Sequence, residues 1–437
     1  MTLKGMKSLF LLWLCMLPLT GDCADDSGSF DAEIANGLVC RFIILDSEGM
    51  TASVSQCLSD NITDLAFDEL VLPAKVNGYY IVAIGDNLFS NIKLNVKSLV
   101  IENGIQEIGR HAFRTTHIEK LSLPPSISFI RAGAFLNTGM RRVEISDMDS
   151  WCRMKLEHPN SSPTYANPGC TVLLNGESVS QVIVPDGVEE ISPAAFYDFH
   201  DLESVVFPQG LKSIKAFAFW GCDKLKSLVF PESLTSIQNS AFVNCSQLTN
   251  VTFPQDMDSI GAYSFSSTNM QVLRLPEGMN VIDKGAFEQI KCLRELHLPK
   301  YINKIEKFAF TFCSNLQYIY SPSMNPITIS KTVFGEWEEN EDDEGDDGDW
   351  GDIGDFSVVY PDAYLHIPKG SKEKYETTES WCNFQNIIEE DGTTGIRRME
   401  SMEPTQNNEY DVLGRITGGK HYTRSIILQH SYKYLSK

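Results

Sequence analysis

Basic residues are the scarce class in this 437-residue chain: 36 Lys and Arg face 58 Asp and Glu, for a net charge of −22. The few cations form no stripe that would track phosphates, so nucleic acid is not an expected partner. Histidine is thin as well. The eight of them, His111, His117, His158, His200, His297, His366, His421 and His430, do not cluster. There is no G-x-S-x-G elbow, H-E-x-x-H pair, phosphate-binding glycine loop or dinucleotide fingerprint, and no C-x-x-C that would start a zinc site. These absences point away from an enzyme and give no reason to expect a metal or cofactor. Long apolar runs are missing too. The one candidate, Leu9 to Leu19, follows Lys4 and Lys7 and precedes small residues around Gly21 to Ala24. It is too short to span a bilayer and makes residues 1–23 a secretory signal peptide. Cys23 invites a lipoprotein reading, but Asp22 stands where a small residue is required. The expectation is a secreted or cell-surface protein with no transmembrane segment.

What the chain has in abundance is a period. A phenylalanine recurs at Phe89, Phe113, Phe135, Phe196, Phe219, Phe242, Phe265, Phe287, Phe310 and Phe334, in steps of 22 to 24 residues apart from the jump after Phe135. Proline recurs in phase at Pro124, Pro185, Pro208, Pro231, Pro254, Pro276, Pro299 and Pro322. A period in this range is the mark of a solenoid, in which one coil cannot bury its apolar face alone and must stack on its neighbours. Within Leu225 to Cys245, the residues Leu225, Leu228 and Phe230 have the spacing L-x-x-L-x-L. The last two alternate with an outward residue, as a short strand requires. Pro231 ends that strand because it has no N–H for the ladder. Leu234 and Ile237 continue the inward set, and Ala241-Phe242 closes the coil on its far side. Stacked strands lie roughly 4.8 Å apart, so ten coils make a rod or arc on the order of 50 Å long.

The resulting pattern, L-x-x-[LV]-x-[FL]-P-x-x-L-x-x-I-x-x-x-A-F-x-x-C, follows leucine-rich-repeat logic with Pro in place of the usual Asn or Cys. It resembles the BspA-like, type-5 leucine-rich repeats found on many bacterial and some protist surface proteins, over roughly residues 30–391. Trp151–Gly176 is similar to the insertion such proteins carry between repeat blocks, and Leu365–Glu390 to their C-terminal capping coil. The resemblance implies a mostly β fold: a right-handed leucine-rich-repeat solenoid of about ten coils, with an N-terminal β-hairpin cap and a C-terminal capping coil. It also implies adhesion or protein–protein contact as the class of function, without naming a ligand. The layout that follows is a β cap over 24–71, repeat blocks over 72–146 and 177–335 with an insertion over 147–176, an acidic loop over 336–357, a capping coil over 358–391, and a linker and tail over 392–437.

Eleven cysteines in an exported chain invite disulfides, but their spacing divides them. Cys222, Cys245 and Cys313 each lie three residues after a repeat phenylalanine, an inward position where a thiol serves as a small hydrophobe. Cys40 and Cys57 instead flank LVCRFIILDSEGMTASVSQC, a hairpin turning near Asp46-Ser47-Glu48-Gly49. A turn centred there sets the two face to face, close enough to bond if the pair is a non-hydrogen-bonded one. Cys152 and Cys170 bracket the insertion and are a second, weaker candidate pair. The acidic run Glu336–Asp355 holds twelve carboxylates and no base, more than half of the net charge. It lacks the spacing of a calcium loop and reads as a solvated, disordered excursion.

Solenoids bind along the strand face, where outward residues form columns. One column runs Val206, Val229, Thr252, Arg274, His297, Tyr320, and a second Ser204, Ser227, Asn250, Val272, Glu295, Tyr318. The face therefore turns from small and aliphatic to charged and aromatic toward its C-terminal end. Aromatics and Arg are the usual anchors of protein contacts, so Arg274, His297, Tyr318 and Tyr320 are the candidate ligand-binding residues. An extracellular protein is the first expected partner. A glycan stacking on Tyr318, Tyr320, Trp337 and Trp350 is the second. In the tail, Tyr410-Asp411-Val412-Leu413-Gly414-Arg415 is similar to the start of C-terminal sorting domains in proteins exported by the Bacteroidetes group, but the continuation GGKHYTRSIILQH departs from their alternation.

Overall fold

A coil of this repeat turns three times, and each side has its own backbone chemistry. The first side is the L-x-L strand. Asn250–Thr252, Val272–Arg274, Glu295–His297 and Tyr318–Tyr320 are representative. Neighbours along this side pair parallel and in register, Val272 with Glu295 and Glu295 with Tyr318. The middle residue points inward, and Leu228, Leu273, Leu296 and Ile319 are all buried. The second side is a ladder of two-residue strands that the sequence pattern did not announce: Glu190–Ile191, Ser213–Ile214, Ser236–Ile237 and Ser259–Ile260, again parallel. Each buries its Ile and turns its polar residue outward.

The third side carries Ala-Phe. The repeat phenylalanines are buried and stack ring on ring from coil to coil, with centroids 5.2 Å apart for Phe219 and Phe242 and 5.1 Å for Phe242 and Phe265. Residues two before and two after the Phe are left-handed, as at Ser240 (φ 58°) and Asn244 (φ 59°). This alternation swings every second N–H toward the next coil. Ser240, Phe242 and Asn244 donate to Ala262, Ser264 and Ser266 at 2.8, 2.7 and 3.1 Å. The intervening N–H groups close their own turn, as Ala218 does on Lys215. The donors of this side all point toward the C-terminus, so each end of the stack needs a partner of the opposite polarity.

The computed structural model describes residues 28–35, 37–58, 65–90, 92–335 and 362–391, with the backbone of two short paired strands, Glu409–Tyr410 and Ile416–Thr417. The signal segment 1–23, the acidic run with Trp337 and Trp350, and the rest of the tail lie outside the described residues. Together the three sides build a mostly β solenoid of about 12 turns. That exceeds the ten counted from phenylalanines because coils without one also stack, such as those through Thr171–Leu174 and Tyr364–Pro368. Among the described residues no helix is long and apolar enough to cross a membrane.

The ends are closed differently. At the N-terminus β1 (Ser29–Ala35), β2 (Leu38–Asp46) and β3 (Thr51–Cys57) form an antiparallel meander, and β3 then pairs parallel with Tyr79–Ile84. At the C-terminus Tyr364–Pro368 and Asn386–Glu390 extend the first side by two more parallel strands. Between them Tyr375 is buried with its hydroxyl 2.6 Å from Ser321 Oγ, and Trp381 Nε1 donates to Ile327 O at 2.7 Å. The rings of Trp381 and Phe384 cover Phe334 at the end of the phenylalanine stack.

Residues 147–176 join the stack as a coil of their own. Lys155–Leu156 pairs with Phe129–Ile130 on the second side, and Thr171–Leu174 with Arg142–Ile145 on the first. On the third side, side chains replace the next coil's carbonyls. Glu157 and Asn160 accept from the N–H groups of Ala132 and Gly133, and Asn167 Oδ1 accepts from Met140 N–H and the Thr138 hydroxyl. Toward the second block Trp151 Nε1 donates to Ala195 O at 3.1 Å, and Ser192 Oγ donates to Met154 O at 3.0 Å. The segment thus converts the open donors of one block into contacts with the next.

Candidate functional site

Parallel, in-register strands put every outward side chain about 4.8 Å from its counterpart one coil on, close to ring-stacking distance. At the C-terminal end of the first side two such columns run side by side. One is Arg274, His297, Tyr320, His366, Ile388, and the other Val272, Glu295, Tyr318, Tyr364, Asn386.

The first column is a stack. The rings of His297 and Tyr320 lie 4.4 Å apart and 7° from parallel, and those of Tyr320 and His366 lie 4.6 Å and 23°. Carboxylates hold the imidazoles from the side. His297 Nε2 donates to Glu295 Oε1, the oxygen that also takes the Arg274 guanidinium at 2.8 Å, and His366 Nδ1 lies 2.6 Å from Glu390 Oε1. The hydrogen bond from His297, with the Arg274 guanidinium beside it, holds the Glu295 carboxyl below its usual range despite partial burial. Burial pushes His297 the other way, below the ordinary imidazole value, and outweighs the pull of Glu295. A neutral His297 with its proton on Nε2 satisfies both. His297 Nδ1 and His366 Nε2 are buried and meet no hydrogen-bond partner among the described residues.

The second column is the exposed one. Tyr318 and Tyr364 are 39% and 42% accessible, and their rings lie 5.9 Å apart and 21° from parallel. Beside them, a groove of about 280 Å³ runs between the helix Lys372–Thr377 and the last strand, lined by Tyr364, Lys372, Glu376, Phe384 and Ile387.

Of the four residues expected from the sequence, Arg274 and Tyr318 present free surface, while His297 and Tyr320 are largely taken up by the stack. Tyr364, His366 and Glu390 were not foreseen. The signal was present in LHIP, Leu365 to Pro368, the same strand-then-proline phrase as SLVF-Pro231. The segment from Glu336 to Pro361 breaks the period before it, so extending the columns needs the pairing of Tyr318 with Tyr364. Among the described residues no group of three or more His, Cys, Asp or Glu converges as a metal site would require.

Comparison with known proteins gives the same architecture. The profile of the BspA type leucine rich repeat region matches in six copies over residues 60–152, 172–292 and 258–341. A leucine-rich repeat protein from Bacteroides ovatus is 18% identical, with 81% of this chain and 88% of that one covered and a TM-score of 0.52. The pneumococcal vaccine antigen PcpA is 14% identical, with coverages of 83% and 99% and a TM-score of 0.43. A leucine rich cell surface protein from Faecalibacterium prausnitzii is 15% identical, with coverages of 91% and 100% and a TM-score of 0.37. No curated protein sequence matches the chain significantly.

Proposed function

The chain belongs to the BspA-type leucine-rich-repeat family, and on that premise we propose that it is an exported bacterial protein, secreted or held at the cell surface, that binds another extracellular protein through the C-terminal end of its strand face. The observation that carries this reading is the exposed Tyr318–Tyr364 pair alongside the His297–Tyr320–His366 ring stack, with Arg274 held on Glu295, the residue before Tyr318 in the same column. Rigid aromatics and Arg supply most of the energy at protein interfaces. The middle of the same face offers Val229, Thr252, Ser227 and Asn250, residues that any solvated strand favours.

Replacing Tyr318 and Tyr364 together by Ser is expected to weaken capture of the extracellular ligand at least about tenfold. The measurement is binding to a panel of extracellular-matrix proteins with a glycan array in parallel. Tyr364 takes the place of Tyr320 because Tyr320 is stacked on both faces and its loss would disturb the fold. The matched control, Val206 and Val229 to Ser, should leave binding unchanged. Loss of binding in the control but not in the tyrosine pair moves the site to the middle coils. Binding to the glycan array alone replaces the protein ligand by a sugar stacked on the same tyrosines.

A further inference from the structure

Cys40 in β2 and Cys57 at the end of β3 are register partners across the first hairpin. The hydrogen bonding beside them tells which kind of pair they are. Leu58 N–H donates to Val39 O at 2.9 Å, so the 39–58 pair is the hydrogen-bonded one and Cys40–Cys57 the non-hydrogen-bonded one. In such a pair the Cα atoms stand about 4.5 Å apart with both side chains on one face, inside the range of about 4.4–6.8 Å that a disulfide bridges. The two thiols already meet, and their hydrogen bond, with burial, holds Cys40 well above the ordinary thiol range. The repeat cysteines are engaged otherwise. Cys222, Cys245 and Cys313 each donate S–H to a phenylalanine carbonyl of the preceding coil, at 3.2, 3.2 and 3.3 Å.

We propose that Cys40 and Cys57 form a cross-strand disulfide that closes when the chain meets an oxidised thiol partner outside the cell and locks the N-terminal cap. Cys57, only half-buried, is the entry point. Its thiolate attacks one sulfur of a small disulfide or an oxidised dithiol oxidoreductase and expels the first thiolate. Cys40, deprotonated in turn, attacks the Cys57 sulfur and expels the second. The chain loses two protons and two electrons, and the oxidant leaves as two thiols. The bond would tie β2 to β3 where the antiparallel cap hands over to the first parallel strand, Tyr79–Ile84.

The test uses the full chain equilibrated with oxidised glutathione, then alkylated without unfolding, digested and mapped by mass. The expected product is a Cys40–Cys57 linked peptide two hydrogens lighter than its parts, while Cys222, Cys245 and Cys313 alkylate only after unfolding. Tryptic cleavage at Arg41 should slow by about a hundredfold on oxidation, the scale of closing a loop this long. Cys57→Ser, which keeps a small polar side chain at the strand end, should be cut in both buffers as fast as the wild type whose thiols are unoxidised. A persistent glutathione adduct on Cys57, or its linkage to another cysteine, overturns the disulfide. Equal cleavage of the wild type in both buffers overturns the lock.

Discussion

His297 is pulled two ways, by burial that disfavours its cation and by Glu295 that favours it, and burial dominates. A folded-state value below the ordinary 6.5 means that the unfolded chain takes up this proton first as pH falls. The stability it contributes is whole above the ordinary 6.5 and is lost as pH falls from there to the lower folded-state value. Glu295, also lowered, loses its contribution in the same direction at more acid pH. The C-terminal coils are therefore expected to open more readily at about pH 5 than at about pH 7, read by amide hydrogen exchange at Leu296 and Ile319. His297→Phe keeps a ring in the stack without a proton site and should flatten that dependence between the two pH values. An unchanged slope in this variant would assign the effect elsewhere. Other single residues carry similar local logic. Gly285 sits at φ +61°, where a Cβ would stand 2.3 Å from the Tyr263 ring laid over it, so this one coil has no room for a side chain at a position where others carry Ser240 or Phe308. The repeat cysteines are more than small hydrophobes: each thiol gives a hydrogen bond to a carbonyl of the preceding coil.

An element of this fold is a coil, and its stability depends on what it is stacked against. Asn167 shows how the junction between the blocks holds. It is buried, accepts from Thr138 and Met140 through Oδ1, and donates through Nδ2 to Phe135 O and Pro163 O at 3.0 Å each. Replacing it by Ala takes their partner from Met140 N–H and Pro163 O, while Thr138 and Phe135 keep their own bond, and each buried unpaired polar group costs about 1–3 kcal/mol. Asn167→Ala is expected to split one unfolding transition into two, with residues 28–146 melting before the second block, as seen by calorimetry or by exchange resolved along the chain. A uniform drop in one transition would mean that the blocks are coupled elsewhere. The surface ion pairs between coils, Asp201 with Lys224 and Glu203 with Lys226, lie half exposed. Pairs of this kind favour the register more than they stabilise it.

At the scale of the molecule, the ladders continue across the acidic run. Gly335 O accepts from Phe312 N–H on the third side, and Tyr364 pairs directly with Tyr318 on the first. The stack is therefore continuous from Gly335 and Tyr318 to Tyr364 through these contacts, which use none of the residues between. Deleting Glu338–Asp355 shortens the connection between Gly335 and Asp362, and closure entropy grows only slowly with length, so the melting temperature should shift by no more than about 5 °C. Loss of cooperative unfolding in the deletion would mean that the run is needed to seat the last two strands.

The repeat was legible in the sequence alone because burial acts on every coil alike. One apolar period, Phe89 to Phe334, repeated in register, leaves the chain little choice but to stack, and the strand with its outward columns follows from L-x-L and the proline after it. The same reading reached Arg274, His297, Tyr318 and Tyr320. It could not see that a strand face stacks its rings, so that His297 and Tyr320 are bound to one another while Tyr318 stays open. Nor could it extend the columns to Tyr364 and His366, because a break in the period hides which strand comes next. The two-residue second ladder and the left-handed turn on the third side leave no period-two trace. Their residues are chosen by hydrogen bonds to the neighbouring coil, and Ser, Asn, Tyr and Phe all serve at a left-handed position. Those partners lie a full coil away in sequence, so only the tertiary structure decides them.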